Sequence, residues 1–263
     1  MKVTFLGTGT SSGVPLIACK CLVCTSSDWR DKRLRCAVLL EWSDKKVVID
    51  VGTDFRQQML RESVTQLDAV LITHSHFDHI GGLDELRAFN FSQGKDMPVY
   101  ADALASNMIT NMFAYAFAEN KYPGTPNLLL NTFDKEPFEL FGKTITPIEV
   151  LHGKMPITSF RIDDFTYITD GKTVSEESKE KIKGTKILVI NAVREEPHYS
   201  HFNLEEALAF IDEMKVEKAY LIHISHRFGR YTDIQKKLPA HVIAAYDGLQ
   251  LKHMVTHLQV KFL

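Results

Sequence analysis

The feature that most constrains this chain is a run of metal-ligand side chains directly after an apolar strand. The strand is expected at residues 69–73, and after it come His74, Ser75, His76, Phe77, Asp78 and His79, before Gly81 and Gly82 open a helix. Side chains alternate along an extended chain, so His74 and His76 project the same way, while residues past a bend can face a second ion. Neutral imidazoles and a carboxylate suit Zn²⁺ or a similar divalent metal. A polar surface loop does not need this pattern, so the sequence predicts a metal site here.

Short apolar runs and helical patterns follow one another in a mixed order. Strands are expected at residues 3–6, 37–40, 47–50, 69–73, 98–100, 144–151, 165–169, 187–190, 219–223 and 242–245. Helices are expected at residues 54–61, 83–91, 102–119, 175–182 and 204–214. This order fits neither a closed barrel nor a Rossmann alternation. The helix at 102–119 is apolar nearly all round, so it should be covered by the core, by a second subunit, or by packing over the site.

The composition is that of one globular unit. The chain has 263 residues, 44% hydrophobic and 24% charged, with no repeat or linker, so we expect a single hydrolase domain over 1–263. The net charge of -2 creates no basic field for nucleic acid or anionic membrane. No apolar run reaches the roughly 18 residues of a membrane span, and the short N-terminal apolar stretch is not a signal sequence. We therefore expect a cytoplasmic protein.

Three of the four cysteines lie close together, at Cys19, Cys21 and Cys24. A disulfide framework would spread them along the chain, so metal ligation is the favoured interpretation of the loop at about 19–24. Free thiols packed in a loop are the alternative. Cys36 lies in an apolar run and is expected to be an ordinary buried strand residue.

The strand-end motif resembles the signature of the metallo-β-lactamase superfamily of dinuclear metallohydrolases. That resemblance implies a further His, a bridging Asp and a final His at later strand ends, and the matching positions are His152, Asp170 and His223. By the same resemblance, one metal would be held by His74, His76 and His152, the other by Asp78, His79 and His223, and both by Asp170. Asp50 matches the family's first motif, a residue that orients the ligand loop. The implied fold is a mixed α/β, four-layer αβ/βα sandwich over essentially the whole chain.

The chemistry expected of such a site is hydrolysis. Two divalent ions can share a water, lower its pKa and present hydroxide to a phosphorus or carbonyl centre. Asp78 and His201 are the predicted catalytic residues. The position of His201 resembles that of the histidine which, in phosphodiesterase branches, contacts the phosphate and serves the leaving oxygen; a surface histidine is the alternative. His198 is expected to be solvated.

The cysteine loop indicates the branch. A closed zinc site needs a fourth ligand, and His226, three residues after His223, is the candidate. This arrangement resembles the cyclic phosphate phosphodiesterases of the phosphonate-degrading pathway, including the phosphoribosyl cyclic phosphate phosphodiesterases. The resemblance implies two divalent ions, Zn or Mn, at the catalytic site and one structural Zn. It also implies a small-molecule phosphodiester substrate, without membrane or nucleic-acid partners; a homodimer stays open.

The main alternative is a tRNA 3′-end-processing endoribonuclease of the same superfamily. Residues 223–231 resemble that family's last histidine motif, but no long Gly/Pro-rich basic insertion is present to grip tRNA. A zinc-stabilised nucleic-acid-binding module, a secreted β-lactamase and a thioester hydrolase are further, weaker alternatives. The glycine turn at 7–13 lacks the spacing of a phosphate loop and is expected to be a tight turn beneath the site. The basic run at 30–35 is expected to be a solvated loop, with attraction of an anionic substrate as the alternative.

Overall fold

The computed structural model describes residues 1–252. Its strands are β1 (Lys2–Gly7), β2 (Ala37–Trp42), β3 (Lys45–Ile49), β4 (Ala69–Leu71), β5 (Met97–Ala101), β6 (Leu128–Thr132), β7 (Phe138–Leu140), β8 (Lys143–His152), β9 (Met155–Ile162), β10 (Phe165–Ile168), β11 (Ile187–Asn191), β12 (Lys218–Ile222), β13 (Val242–Ala244) and β14 (Gln250–Lys252). Its helices are α1 (Phe55–Arg61), α2 (Phe77–Ile80), α3 (Arg87–Gln93), α4 (Ala103–Met112), α5 (Ala114–Phe117), α6 (Glu176–Ile182), α7 (Leu204–Met214) and α8 (Tyr231–Gln235), with 3₁₀ turns at Trp29–Asp31 and Leu83–Leu86. No helix in this part of the chain is long and apolar enough to cross a membrane.

The strands form two seven-stranded mixed sheets. Their orders are β14-β1-β2-β3-β4-β5-β6 and β13-β12-β11-β10-β9-β8-β7. In the first sheet β3 to β6 are parallel, and in the second β10 to β13 are parallel, while the remaining pairs are antiparallel. The carboxyl ends of each parallel set lie along one edge of its sheet, the usual place for a ligand site in an open sheet.

Alternating side chains along the strands explain the layers. Val47 and Ile49 pack between the two sheets with Phe160 and Tyr167, whereas Val48 faces the helices on the outside of the first sheet. A third apolar cluster lies between the second sheet and helices α6, α7 and α8. Helices, sheet, sheet and helices therefore stack in order, and the predicted four-layer sandwich is confirmed.

All ten predicted strands are present, and β6, β7, β9, β14, α2 and α8 are additional. The prediction of one continuous helix over 102–119 is wrong, because the helix breaks at Phe113 into α4 and α5. Ile109, Phe113 and Ala116 pack in the core, while Leu104 is 61% and Met108 43% exposed. One face of this segment thus packs in the hydrophobic core, and the other face is exposed to solvent.

The expectation that residues 30–35 form a solvated loop is wrong for Arg33. This side chain is only 3% exposed. Its Nη1 donates to the hydroxyl of Thr8 at 2.8 Å and to the carbonyl of Ala245 at 2.5 Å. The carboxylate of Asp247 accepts from the same Thr8 hydroxyl, so the guanidinium is buried beside an opposite charge.

Candidate metal centre

The site lies where strand ends of both sheets meet. The residues that end or follow strands β3, β4, β8, β10 and β12 are Asp50, His74, His152, Asp170 and His223. His76, Asp78 and His79 complete the group from the start of α2. Because each strand ends at this common edge, residues spread over more than half of the chain converge on one place.

The carboxylate of Asp170 is the centre of this group. Its Oδ2 lies 3.2 Å from His79 Nε2 and 3.3 Å from His223 Nδ1. Its Oδ1 accepts from His201 Nε2 at 3.0 Å. His79 Nε2 is also 3.2 Å from Asp78 Oδ2. Two carboxylates and three imidazoles therefore meet within contact distance.

The other histidines form a second side of the site. His74 Nε2 and His76 Nδ1 are 3.0 Å apart, and the rings of His76 and His152 are 5.2 Å apart. His152 Nδ1 lies 2.9 Å from the carbonyl oxygen of Ser200 and must donate to it, since a carbonyl only accepts. The lone pair of a neutral His152 is therefore at Nε2. The ring of His201 lies edge-on to that of His152, with 4.6 Å between the ring centres.

Asp50 and Thr73 fix two of the rings. Asp50 accepts from the backbone N–H and hydroxyl of Thr73, at 2.9 and 2.8 Å, and from His79 Nδ1 at 2.7 Å. Since the Thr73 hydroxyl donates to Asp50, it accepts from His74 Nδ1, 3.0 Å away. In their neutral forms, His74 and His79 thus hold their proton on Nδ1, and the lone pair on Nε2 of each can bind a metal ion.

The electrostatics of the site favour neutral His74 and His223 and ionised Asp78 and Asp170. Burial would lower the pKa of His79, but the carboxylates of Asp50 and Asp170 raise it well above its ordinary value. Burial lowers the pKa of His74 well below its ordinary value and that of His223 to about 4. Burial would raise the pKa of Asp170, but the charges of His223 and His79 hold it well below its usual range. Burial would raise the pKa of Asp78, but the hydrogen bond and charge of His79 lower it to about 2. Lone pairs and negative charge are therefore available to a cation.

The backbone of the site departs from the predicted loop. Helix α2 begins at Phe77, inside the motif, and was not predicted, whereas Gly82 directly precedes the 3₁₀ turn that leads into α3, as expected. A Cβ on Gly52 would lie 1.9 Å from the carbonyl oxygen of Asp78, so this turn of helix packs directly on the chain after β3. Three site residues that are not glycine have left-handed φ angles: Asp50 at 67°, Asp170 at 55° and His223 at 56°. Such strain is typical of functional sites.

The donor set fits a divalent metal. His79 Nε2 and His223 Nδ1 are buried and make no hydrogen bond within residues 1–252. Two trios have ligand atoms within 4.8 Å of one another: His74, His79 and Asp170, and His152, Asp170 and His201. Buried nitrogens without hydrogen bonds, facing carboxylates, are costly unless a cation binds there. His201 lies at ligand distance as well, which the expected division into two metal sites does not include.

The three clustered cysteines and His226 form a separate group. Cys19 Sγ and Cys21 Sγ lie 3.4 and 3.5 Å from His226 Nδ1, and the ligand atoms of all four residues lie within 4.8 Å. Hydrogen bonds from the backbone of Cys24 and from His226 lower the pKa of Cys21 to about 6, while burial raises that of Cys24 to about 11. A thiolate is the form that binds metal, so the arrangement suits the zinc ligation expected from the sequence.

A match to a known family model agrees with this geometry. Residues 45–224 match the model of the beta-lactamase superfamily domain. The chain belongs to the metallo-β-lactamase superfamily. The family predicted from the motifs is confirmed. In this superfamily divalent metals such as zinc are usual, which fits the His and Asp cluster described above.

Individual relatives refine this placement. The chain is similar to a diphosphatase of the PhnP family, with 36% identity, a TM-score of 0.89, and 95% of this chain and 96% of that one covered. It is 38% identical over 253 residues to an octanoyltransferase from Porphyromonas gingivalis, but spans 95% of its own length and only 51% of that protein. Human tRNase Z, short form, shares the fold at 18% identity and a TM-score of 0.67, over 96% and 99% of the two chains. The similarity to the PhnP family supports the predicted branch of the superfamily.

His198 is the site residue that sequence reasoning missed. Its Nδ1 accepts from the backbone N–H of Ser200 at 3.3 Å and lies 3.1 Å from His201 Nδ1. The expectation that His198 is simply solvated is therefore wrong, since it is only partly exposed and packs against His201. The sequence signal that could have indicated this contact was the spacing of the two histidines, which are three residues apart and follow Pro197.

Proposed function

We propose that the protein is a dinuclear metal-dependent phosphodiesterase that hydrolyses a small cyclic phosphate or a short nucleotide phosphodiester. The observation that supports it is the position of Asp170, with His79, His201 and His223 all within 3.3 Å of its carboxylate. The relative named a diphosphatase acts on a phosphorus–oxygen bond, which agrees with this reaction class. Hydrolysis is the reaction that membership of this superfamily supports.

The ligands would be divided as the family resemblance implies. His74, His76 and His152 would hold one ion, Asp78, His79 and His223 would hold the other, and Asp170 would contribute to both. When bound, such ions supply an activated water and neutralise the charge that develops on the phosphoryl oxygens. The cysteine group with His226 would hold one structural zinc that stabilises the loop at 19–24.

The protein's own residues perform the remaining steps. Hydrolysis forms one phosphorus–oxygen bond to water and breaks another to the leaving alkoxide, which must gain a proton. His201 is partly exposed, and its Nε2 donates to Asp170 Oδ1. If Asp170 engaged metal ions instead, this N–H would be left to contact a phosphoryl oxygen and to protonate the leaving oxygen. Asp50 and Thr73 hold His74 and His79 in the tautomer that leaves Nε2 free.

A substrate panel tests the proposal. The purified protein, loaded with Zn²⁺ or Mn²⁺, is assayed against ribose cyclic phosphates, nucleoside 2′,3′-cyclic phosphates, linear dinucleotides and precursor tRNA. We expect turnover of at least one small phosphodiester, and its loss in Asp170→Asn. Asp96→Asn is the matched control, because this exposed aspartate lies at the opposite, amino end of β5.

Two results would contradict the proposal. Cleavage of precursor tRNA alone would identify the ribonuclease alternative. If protein that metal analysis shows to contain Zn²⁺ or Mn²⁺ hydrolysed no phosphodiester, the proposed phosphodiesterase function would be refuted.

A further inference from the structure

A cleft opens directly beside the metal centre. Its volume is about 480 Å³, within the range of small-molecule pockets. It is lined by Ser11, Arg35, Thr53, Asp54, Phe77 and Asp78. Asp78 is one of the proposed metal ligands, so whatever occupies the cleft lies next to the reacting phosphate.

One wall of the cleft is an aromatic ring held in place. Phe77 is 59% exposed although it precedes Asp78 in the ligand motif. A Cβ on Gly81 would lie 2.8 Å from Thr53 Cγ2 and 3.1 Å from Phe77 Cε1, so the ring packs closely against the bare backbone of this glycine. The ring is therefore supported on one side and open on the other. An open, supported ring is a stacking platform for a planar ligand.

The other residues that line the cleft are polar. Arg35 Nη1 donates to Asp54 Oδ1 at 2.9 Å, and its Nε donates to the carbonyl of Ser11 at 2.9 Å. Across residues 1–252, Arg35 Nη2 and the hydroxyls of Ser11 and Thr53 make no hydrogen bond to protein. The cleft thus offers free donors and acceptors, and the guanidinium of Arg35 is held in place by two hydrogen bonds.

The charges of the cleft select among ligands. Among the described residues that line the cleft, Arg35 is the one cationic side chain and is already paired with Asp54, so the cleft offers no unpaired positive side chain for a second phosphate. A neutral heterocycle with both donors and acceptors along its edge matches a wall that contains both. Such a ring would stack on Phe77 while its edge faces Arg35 and Ser11.

We propose that this cleft is a nucleobase subsite, which makes the substrate a nucleoside phosphodiester rather than a sugar phosphate without a base. This inference rests on the proposed phosphodiesterase function and narrows its substrate class. The base would stack on Phe77 and the phosphodiester would lie at Asp78 and the neighbouring histidines.

The test compares two substrates that differ only in the base. One is a nucleoside 2′,3′-cyclic phosphate and the other is methyl riboside 2′,3′-cyclic phosphate. Stacking on an aromatic side chain gives the nucleoside substrate an advantage in kcat/KM of about 5- to 150-fold. We expect Phe77→Ala to remove most of this ratio and Phe77→Tyr, which keeps a stacking face, to retain it. Phe91→Ala, which removes an equally exposed phenylalanine from α3, is the matched control and leaves the ratio unchanged.

The ratio separates this proposal from the function on which it rests. An equal kcat/KM for the two substrates in the wild type, or a ratio that Phe77→Ala leaves intact, overturns the nucleobase subsite while phosphodiesterase activity remains. If neither substrate nor any other phosphodiester is hydrolysed, the proposed function fails and the subsite fails with it.

Discussion

Replacing Thr73 by valine tests how the protein prepares two histidines to bind metal. The Thr73 side chain is fully buried, and valine has nearly the same shape without the hydroxyl. The change removes the hydrogen bond from Thr73 to Asp50 and the one from His74 Nδ1 to Thr73. Asp50 still accepts hydrogen bonds from the backbone N–H of residue 73 and from His79 Nδ1. The substitution therefore affects mainly His74, which loses its hydrogen-bond acceptor.

The magnitude follows from the burial of this contact. No water can replace the hydroxyl, and a buried polar group without its partner costs about 1–3 kcal/mol. Without an acceptor at Nδ1, a neutral His74 can place its proton on Nε2, where it competes with the metal. At 1.4 kcal/mol per tenfold in affinity, we expect metal binding to weaken by about 10- to 100-fold, the usual effect of losing such a supporting contact.

Chelator competition with Zn²⁺ measures this effect. Thr73→Ser keeps the hydroxyl and should bind within about threefold of the wild type, while Thr73→Val shows one weakened ion and an unchanged cysteine site. Imidazole ¹⁵N shifts of the metal-free protein should show His74 protonated on Nδ1 in the serine variant and a mixture of tautomers in the valine variant. Wild-type affinity for every ion in Thr73→Val, with the fold intact, would refute the reasoning.

Three further variants test separate parts of the site. Cys21→Ser should lose one zinc and lower the melting temperature more than it lowers turnover, since structural zinc contributes folding free energy; a variant that melts like the wild type with all its metal would show that the cysteines are not ligands. His201→Ala should lower kcat by about 10²–10⁴ with metal content unchanged, and less so for nitrophenyl diesters, because a nitrophenolate leaves without a proton; equal losses on good and poor leaving groups would assign His201 to phosphate binding only. Gly52→Ala should displace α2 and reduce metal content, because its Cβ would lie 1.9 Å from the Asp78 carbonyl oxygen; wild-type metal content and activity would show that this close approach is not needed.

Local features of the sequence were enough to predict the strands that support the site. Each ligand lies at the end of an apolar run, as His152 does after residues 144–151 and His223 after residues 219–222. Strand β9 was missed because Pro156 interrupts its apolar pattern, although this residue pairs with Leu151. The break at Phe113 was missed because the apolar pattern of 102–119 continues through it.

The sequence by itself determined which chemical groups are present and at which strand ends they lie, because apolar runs and neighbouring ligands are local features. Only the tertiary structure decided which groups meet. His201 reaches Asp170 across 31 residues, His226 reaches Cys19 across 207, and Arg33 is buried against Ala245 across 212. The left-handed backbone of Asp50, Asp170 and His223 also depends on this packing, because aspartate and histidine tolerate this conformation but adopt it where the surrounding structure requires it. Contacts of this kind depend on how the two stacked sheets are aligned, so that their strand ends meet at one edge. That alignment comes from burying apolar faces throughout the chain rather than from any motif within it.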